Sequence, residues 1–324
     1  MKGSRYKIYF LFFCIFYQLS SQNEALLQVS KFGANPGHLK MFIHLPADTT
    51  SLSEKKLVVF LHGCNQNAAM VSHESGWNEL GDKNGIYILY PEQRKINNPA
   101  SCFCWYRPED SYPKKGESAS IREMITFACD SFKIPISEVF ICGLSAGAAM
   151  SVAVMADYPE MFKGGAIFAG APFGLATDAW SALLRMGKPL KLSAKEWGEK
   201  VEKIHPDYKG RYPKMVVFHG LQDHIVSVEN AHSILKQWAW VTCSDSLPRN
   251  TEKNFAGLSN VTRYSYFDKN GDEKMVFYEI NHLGHALPID PGIREKQGGH
   301  SGLFTANIHF FGMYWAAKEF GICK

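Results

Sequence analysis

The sequence predicts an α/β fold, with one mostly parallel central sheet and helices packed on both of its faces. Short apolar runs alternate along the chain with segments of helical length, which is the pattern of successive strand–helix–strand units. Several of these runs are apolar at successive positions, as expected for strands that are covered on both sides. The chain has 324 residues, of which 46% are hydrophobic, so it can bury a large core and is not mainly disordered.

The first two predicted strands cover residues 39–45 and 57–61. The second, Leu-Val-Val-Phe-Leu, is apolar on both faces, so we expect it near the centre of the sheet. It runs directly into His62-Gly63-Cys64. A His-Gly loop after an early strand can supply a backbone N–H group to a site at the edge of the sheet, and a plain strand-end turn is the alternative. We interpret His62 itself, at the base of the loop, as structural rather than catalytic.

A third strand is predicted at 85–91, followed by a polar loop at 97–113. Loops at the carboxyl ends of parallel strands build the binding sites of α/β proteins. Trp105 on this loop could form an apolar wall for a substrate or could cover an edge of the sheet, and the residues leave both interpretations open. Because Cys64 and Cys102 lie on loops at the same predicted end, we expect a disulfide between them, although sequence alone does not define cysteine connectivity.

The most informative stretch lies at 139–157. β-Branched and aromatic residues predict a buried strand, and Gly-Leu-Ser-Ala-Gly then leads into a run of small residues that predicts a helix. Gly-x-Ser-x-Gly between a strand and a helix is the nucleophile elbow, a tight turn with the serine at its apex. A side chain at Gly143 or Gly147 would collide with the neighbouring strand or helix. We therefore predict Ser145 as a nucleophile at a helix N-terminus, where developing negative charge is favoured.

A serine nucleophile of this kind needs two backbone N–H groups that converge on one substrate oxygen. In α/β folds with a nucleophile elbow, one donor is the residue after the nucleophile, and the other lies on the loop after an early strand. We assign the two oxyanion donors to Ala146 and Cys64.

The acid and the base are predicted from the strands that follow. Asp223 comes just after the strand at 215–220, where an acid is positioned to orient an imidazole. The strand at 275–280 leads into a loop with two histidines, and we prefer His285, which follows a glycine. The order Ser145, Asp223, His285 is the Ser…Asp…His order of this architecture. The rivals are Asp245 and Asp268 for the acid, and His282 and His300 for the base.

The remaining elements complete the alternating pattern. Asn-Gly at 270–271 is typical of a hairpin turn between the last two long strands. We interpret 175–212 as helical excursions over the sheet, and prefer ordinary crossover packing to a substrate lip. Since no linker or repeat divides the chain, we expect residues 22–324 to form a single catalytic domain. Further strands are predicted at 165–170 and 261–267, and helices at 117–132 and 305–320.

Residues 1–21 have the features of a secretory signal peptide: a basic start, an apolar run at 8–19 and the small residues Ser20 and Ser21. The apolar run is shorter than the roughly 20 residues that a membrane-spanning helix needs, and a membrane anchor is the alternative. Eight cysteines fit an oxidising destination. We therefore expect a secreted protein, extracellular or periplasmic, with no stable membrane insertion after cleavage.

Composition argues against other classes of partner. The formal net charge is +4, and close to +1 without the three cations of the leader. No basic stripe indicates a nucleic-acid partner. Cys102-Phe-Cys104 lacks a second close pair at zinc-site spacing, so we expect no metal, and the predicted chemistry needs no organic cofactor.

Short motifs along the chain match a known group of enzymes. They are His-Gly-Cys-Asn-Gln (62–66), Ser-Gly-Trp (75–77), Leu-Tyr-Pro-Glu-Gln (89–93), Asn-Asn-Pro (97–99), Cys-Phe (102–103), Trp105, Gly-Leu-Ser-Ala-Gly (143–147) and Gly-His (284–285). Over about residues 37–320 the chain resembles the poly(3-hydroxybutyrate) depolymerase family of secreted serine esterases, which is related to feruloyl and acetylxylan esterases.

The resemblance implies an α/β-hydrolase fold, a triad at Ser145, Asp223 and His285, and oxyanion donors at Cys64 and Ala146. Trp105 falls where such enzymes place an aromatic side chain near the ester. Cys104 is a departure, because a polar residue is expected before the tryptophan.

The predicted function is hydrolysis of short-chain polyhydroxyalkanoate, poly(3-hydroxybutyrate) or its oligomers, through an acyl-enzyme. A carbohydrate esterase that releases feruloyl or acetyl groups would use the same triad and is the first alternative. A non-catalytic, hydrolase-like binding protein is a distant alternative, because such proteins usually lose a triad member and all three positions have candidates here. The expected partner is a polyester or a small ester, and the sequence leaves the oligomeric state open.

Overall fold

The computed structural model describes residues 26–47 and 55–323, so the expected signal peptide at 1–21 lies outside the described residues. The strands are β1 Leu27–Val29, β2 Lys40–His44, β3 Lys56–Leu61, β4 Ile86–Glu92, β5 Val139–Leu144, β6 Gly164–Phe168, β7 Lys214–Gly220, β8 Asn250–Lys253, β9 Val261–Phe267, β10 Glu273–Ile280, β11 Leu287–Ile289 and β12 Thr305–Asn307. The α-helices are α1 Ala68–Glu74, α2 Trp77–Asn84, α3 Pro108–Ser111, α4 Gly116–Phe132, α5 Ala146–Asp157, α6 Ala179–Gly187, α7 Ala194–Glu202, α8 Glu229–Val241 and α9 Gly312–Glu319.

Ten of the described strands form one sheet in the order β1-β2-β4-β3-β5-β6-β7-β10-β9-β8. The six central strands, β4 to β10 in that order, are parallel, and antiparallel strands extend both edges. β3 is a central strand, as its two apolar faces predict. The predicted α/β class with a mostly parallel sheet is confirmed.

Alternate residues of the central strands point into two different apolar layers. On β3, Leu57, Val59 and Leu61 join the cluster that contains buried residues of α4, α5 and α8. Val58 and Phe60 join a second cluster with buried residues of α1, α2 and α9. Helices therefore cover both faces of the sheet, as the continuous apolar runs predict.

The hairpin expected around Asn270-Gly271 is confirmed, because β9 and β10 pair antiparallel on either side of it. The helix predicted at 305–320 is wrong in its first half. Residues Thr305–Asn307 form β12, which pairs in parallel with β11, and α9 begins only at Gly312. The apolar residues that suggested a helix start only at 308, and pairing with β11 makes residues 305–307 a strand.

No helix within residues 26–47 and 55–323 is long and apolar enough to cross a membrane. The predicted disulfide is present: Cys64, just after β3, is bonded to Cys102 on the loop after β4. This bond links two loops that leave the same edge of the sheet.

Candidate active site

Ser145 stands at a sharp turn between β5 and α5. Its backbone angles, φ 57° and ψ −119°, lie outside the regions that residues with a side chain favour. Its N–H donates to the carbonyl oxygen of Phe168 at 2.9 Å. A Cβ atom on Gly143 would collide with Gly147, and one on Gly147 would collide with the carbonyl groups that end β3. Only glycine at these positions lets strand and helix approach closely enough to form the turn.

Asp223 and His285 reach Ser145 from the ends of β7 and β10. His285 Nε2 lies 2.8 Å from Ser145 Oγ, and His285 Nδ1 lies 2.7 Å from Asp223 Oδ2. The aspartate can only accept at Nδ1, so the ring carries its proton there and presents a lone pair at Nε2 to the serine hydroxyl. The structure brings together the three side chains that the sequence selects.

The Asp223 carboxylate is held from both sides. Its second oxygen accepts the N–H groups of Ile225 and Val226 at 2.9 and 2.8 Å. Burial acts to raise the pKa of Asp223, but the hydrogen bond and charge of His285, together with the Val226 N–H, hold it below its ordinary value. The aspartate is therefore ionised and can stabilise a protonated His285.

The loops that carry Asp223 and His285 are tied to each other by backbone hydrogen bonds. The N–H of Leu221 donates to Ile280 O at 2.9 Å, and that of Gln222 donates to Leu283 O at 3.0 Å. A Cβ atom on Gly220 would collide with Leu283 O, so the two loops lie in direct contact. The loops that carry Asp223 and His285 are thus joined directly to each other.

The structure does not bring the rival residues to Ser145. Each makes its own contact elsewhere: His282 with the Gln222 amide, Asp245 with Arg249, Asp268 with Lys274, and His300 with Glu79.

His62 is fully buried beneath the serine turn. Its Nε2 accepts the N–H of Gln93 at 3.0 Å, so Nδ1 carries the proton and donates to Gly63 O at 2.7 Å. Burial lowers the pKa of His62 to about 4. The ring is neutral and braces the loop, which fits the structural role expected for it.

The two expected oxyanion donors, Cys64 and Ala146, both line a cavity with Ser145. The N–H groups just before them are already used: that of Gly63 donates to Gln66 Oε1 and that of Ser145 donates to Phe168 O. A Cβ atom on Gly63 would lie 3.5 Å from Ser145 Cβ, so this loop packs directly against the serine.

The cavity above Ser145 has a volume of about 490 Å³ and mostly apolar walls. Trp105 lines it, which is the placement that the substrate-wall interpretation of this side chain expects. The preference for plain crossover packing in 175–212 is wrong for α6, because one face of this helix lines the cavity. The apolar wall consists of Trp105, Tyr106, Leu144, Ala179, Ala182, Leu183, Met186, Ile225 and Phe304.

Sequence reasoning did not select Ile225 and Phe304, and at 175–212 it weighed a substrate lip without preferring it. The apolar run of α6 ordinarily predicts burial, but Trp180, Leu183 and Leu184 are 69%, 60% and 53% exposed. A capping box formed by Asp178 and Ser181 starts the helix at the cavity mouth.

A second, polar cavity of about 560 Å³ adjoins the first at Asn65, which lines both. Its walls carry amide and charged side chains, among them Gln66, Glu92 and Arg94. An apolar compartment above Ser145 and a polar compartment therefore meet at Asn65.

One group of side chains within the described ranges has the chemistry of metal ligands: Cys104, Asp110 and Glu117, whose donor atoms lie within 4.8 Å of one another. Both Glu117 oxygens already accept N–H hydrogen bonds, from Cys104 and Gln93. Cys104, the departure noted in the sequence, is a buried free thiol, and burial raises its pKa to about 12.

Comparison with known proteins shows what this chain is similar to. Residues 39–244 match the family model described as esterase PHB depolymerase, a region that contains Ser145 and Asp223. The chain is 35% identical over 303 residues to poly(3-hydroxyalkanoate) depolymerase C of Paucimonas lemoignei, covering 94% of this chain and 72% of that protein. It is 32% identical over 240 residues to a probable acetylxylan esterase A of Aspergillus flavus, covering 71% and 76%.

Among solved structures, an acetyl xylan esterase from Aspergillus awamori matches with a TM-score of 0.76 at 22% identity, over 92% of this chain and 99% of that one. This likeness concerns the fold, which is that of the α/β-hydrolases.

Proposed function

The chain belongs to the PHB depolymerase family of esterases, and from this premise we propose that it hydrolyses short-chain polyhydroxyalkanoate or its oligomers with a Ser145–His285–Asp223 triad. The observation that carries the proposal is the continuous hydrogen-bonded line from Asp223 Oδ2 through His285 to Ser145 Oγ, with steps of 2.7 and 2.8 Å. These are distances at which a proton can pass from the hydroxyl to the ring.

In the proposed acylation step, Ser145 Oγ attacks the ester carbonyl carbon while its proton passes to His285 Nε2. The carbonyl oxygen becomes negative and accepts hydrogen bonds from the N–H groups of Cys64 and Ala146. Asp223 stabilises the imidazolium that forms. When the tetrahedral intermediate collapses, the bond to the leaving oxygen breaks and His285 donates its proton to that oxygen, which releases the alcohol.

Deacylation repeats the same steps with water as the nucleophile. His285 takes a proton from the water as its oxygen bonds to the acyl carbon, and the same N–H pair stabilises the oxyanion. The bond to Ser145 Oγ then breaks, His285 returns the proton to the serine, and the carboxylic acid leaves.

A polyester is favoured by the apolar character of the main cavity and of its rim. Leu183 and Ile225 line the cavity and are also 60% and 53% exposed, and Trp180 and Leu184 continue this surface along α6. Exposed apolar patches of this kind mark interaction sites. A chain of methyl-bearing ester units offers apolar surface to such a rim.

A carbohydrate esterase is the second candidate, and the polar cavity beside Asn65 is the observation that favours it. An acetyl or feruloyl group in the apolar compartment would leave a sugar chain, rich in hydroxyls, near the amide and charged side chains. The likeness to a probable acetylxylan esterase supports the same alternative.

We also propose that residues 1–21 direct export and are removed, so that residues 22–324 act as a single catalytic domain outside the cell or in the periplasm. The basic start and the apolar run at 8–19 support this.

A substrate panel tests the proposal. Purified protein would be given hydroxybutyrate oligomers, a poly(3-hydroxybutyrate) film, acetylated xylan and methyl ferulate, with Ser145→Ala as the blank for each. We expect release of 3-hydroxybutyrate by the wild type and none by the variant. Faster release of acetate or ferulate would move the assignment to the carbohydrate alternative, and equal turnover by Ser145→Ala would remove the triad.

A further inference from the structure

Glu117 is a buried carboxyl group that the proposed reaction does not use. It lies in the first turn of α4 and is 1% exposed. Its Oε2 accepts the backbone N–H of Cys104 at 2.8 Å, and its Oε1 accepts a hydrogen bond from the Gln93 amide. Burying a carboxyl group costs free energy unless such donors satisfy its oxygens, so these two hydrogen bonds are needed to keep Glu117 in the core. Both partners belong to segments that shape the active site.

Two chains of hydrogen bonds, called arms here, start at Glu117. The first arm runs through Gln93 to the loop that carries the proposed oxyanion donor Cys64. The backbone N–H of Gln93 donates to His62 Nε2 at 3.0 Å, and His62 Nδ1 donates to Gly63 O at 2.7 Å. The Gly63 carbonyl and the Cys64 N–H belong to one planar peptide group and point in opposite directions. A fixed Gly63 carbonyl therefore fixes the direction of the Cys64 N–H.

The second arm leads to the wall of the apolar cavity. Glu117 holds the backbone of Cys104, which immediately precedes Trp105. The Gln93 amide also donates to Cys102 O at 3.3 Å, and Cys102 is bonded through its sulfur to Cys64. The Cys64–Cys102 disulfide therefore connects the loops at which the two arms end, and Glu117 is hydrogen-bonded at the start of both arms.

We propose that Glu117 is a positioning residue of the esterase, which aligns the Cys64 N–H through Gln93 and His62 and places Trp105 through Cys104. Glu117 contacts none of the proposed reacting groups, so it acts only through these neighbours. The inference rests on the proposed function, because it takes the Cys64 N–H as an oxyanion donor.

The charge of Glu117 matters for this role. Burial, and after it the charge of Asp110 on α3, raises the pKa of Glu117 to about 8. The other titratable groups around it are the Cys104 thiol, Tyr106 and Arg107, the last of which lies 3.9 Å from Asp110. Both Glu117 oxygens face N–H donors, and an ionised carboxylate accepts such bonds more strongly than a neutral acid. Ionisation of Glu117 therefore strengthens the hydrogen bonds that it accepts from Gln93 and Cys104. We expect kcat to rise as the carboxyl group ionises.

The test compares Glu117→Gln with the wild type on p-nitrophenyl butyrate between pH 6 and 9. Glutamine has the same shape but turns an NH₂ group towards one of the two donors, so one of the two hydrogen bonds is lost. Loss of one oxyanion donor typically costs about 10²–10³ in kcat, and we expect a misaligned donor to cost about tenfold with little change in KM. The wild-type rise in kcat near pH 8 should be absent from the variant. Asp130→Asn, at an exposed position of the same helix, is the matched control and should behave like the wild type.

Gln93→Ala provides a second route if Glu117→Gln does not fold. If Glu117 acts through Gln93, this variant loses kcat to a similar degree, and the double variant loses little more than Gln93→Ala alone. The proposal is overturned if a folded Glu117→Gln or Gln93→Ala keeps wild-type kcat and an unchanged pH profile. That outcome is distinct from failure of the proposed function, in which the wild type itself would show no turnover that depends on Ser145.

Discussion

Ser145 combines a strained backbone with close support on every side. A residue with a side chain at φ 57° and ψ −119° costs of order 1–3 kcal/mol, and surrounding contacts must offset this. Here the Phe168 carbonyl accepts its N–H, and two glycines let the helix meet the strands. The predicted collision at Gly143 and Gly147 is present in the structure: a Cβ on Gly143 would meet Gly147 of the same motif, and a Cβ on Gly147 would meet the backbone at the end of β3.

Gly147→Ala tests this support. The new methyl group would meet the carbonyl groups of Leu61 and His62, which are backbone atoms of the central sheet. We expect the free energy of unfolding to fall by more than about 2 kcal/mol, as in other changes that overpack a rigid site. Gly187→Ala, where an added Cβ has no neighbour within 4 Å, is the control for chemical denaturation. Equal stability of the two variants would contradict the argument.

The two histidines of the last active-site loop give opposite predictions. His285→Ala removes the only ring in contact with Ser145 Oγ among the described residues, so kcat should fall by at least about 10³. His282→Ala removes an exposed ring bound to the Gln222 amide and should leave kcat within about twofold of wild type. Steady-state rates on a soluble ester decide between them, and the reverse pattern would make His282 the base.

The elements differ in how far sequence could predict them. β3, β5 and β7 were predictable because burial on both faces leaves an apolar run. β8 (Asn-Thr-Glu-Lys) was not, since all its side chains are exposed and only pairing with β9 makes it a strand. The same holds for β12, where pairing with β11 overrides the helix expected at 305–320.

α6 is an element whose apolar face turns outward rather than inward. Of its nine residues only Ala182 is buried, while Trp180, Leu183 and Leu184 are exposed beside the cavity mouth. Its role could not be read from the sequence, because an apolar helical face ordinarily predicts burial.

Trp180→Ser with Leu184→Ser tests whether α6 contacts an insoluble polyester. Neither residue lines the cavity, so turnover of a soluble p-nitrophenyl ester should stay within about twofold of wild type. Hydrolysis of a poly(3-hydroxybutyrate) film should fall several-fold as apolar contact area is lost. Leu247→Ser, at an exposed leucine on the loop before β8, is the control. Parallel loss on film and soluble ester would show that α6 serves the cavity alone.

The whole sheet explains why residues far apart in the chain meet. Parallel pairing aligns the ends of β3, β5, β7 and β10 at one edge, with Leu61 beside Gly143 and Gly220 beside Ile280. Asp223 and His285 were therefore predictable from their places on the loops that follow these strands, and chain order alone would also have allowed their rivals. The buried network around Glu117 was not predictable, because its contacts depend on how loops and a helix pack.

Buried groups also predict how the stability of the whole protein depends on pH. Burial raises the pKa of Glu117 to about 8 and that of Asp157 well above its ordinary value, so the folded state binds protons that the unfolded state has lost. Burial lowers the pKa of His62 to about 4 and that of His219 below its ordinary value, and this opposite effect fades as pH rises above about 6.5, where unfolded histidines lose their protons. The free energy of unfolding should therefore fall between pH 6.5 and 8, by up to about 1.4 kcal/mol per pH unit for each such proton.

Denaturant unfolding at pH 6.5, 7.25 and 8 measures this slope for the wild type and for Glu117→Gln. The variant cannot ionise at this position, so its slope should be shallower. A wild-type stability that rises over this range, or an unchanged slope in the variant, would contradict the assigned proton.

The central claim is that Ser145 is a nucleophile activated by His285 and Asp223. Labelling with a fluorophosphonate, followed by peptide mass spectrometry, tests it most directly, because only an activated nucleophile reacts at an appreciable rate. We expect one adduct, located on Ser145, with loss of ester turnover in proportion to labelling and no adduct in His285→Ala. An adduct on another residue, or full turnover after complete labelling of Ser145, would contradict the claim.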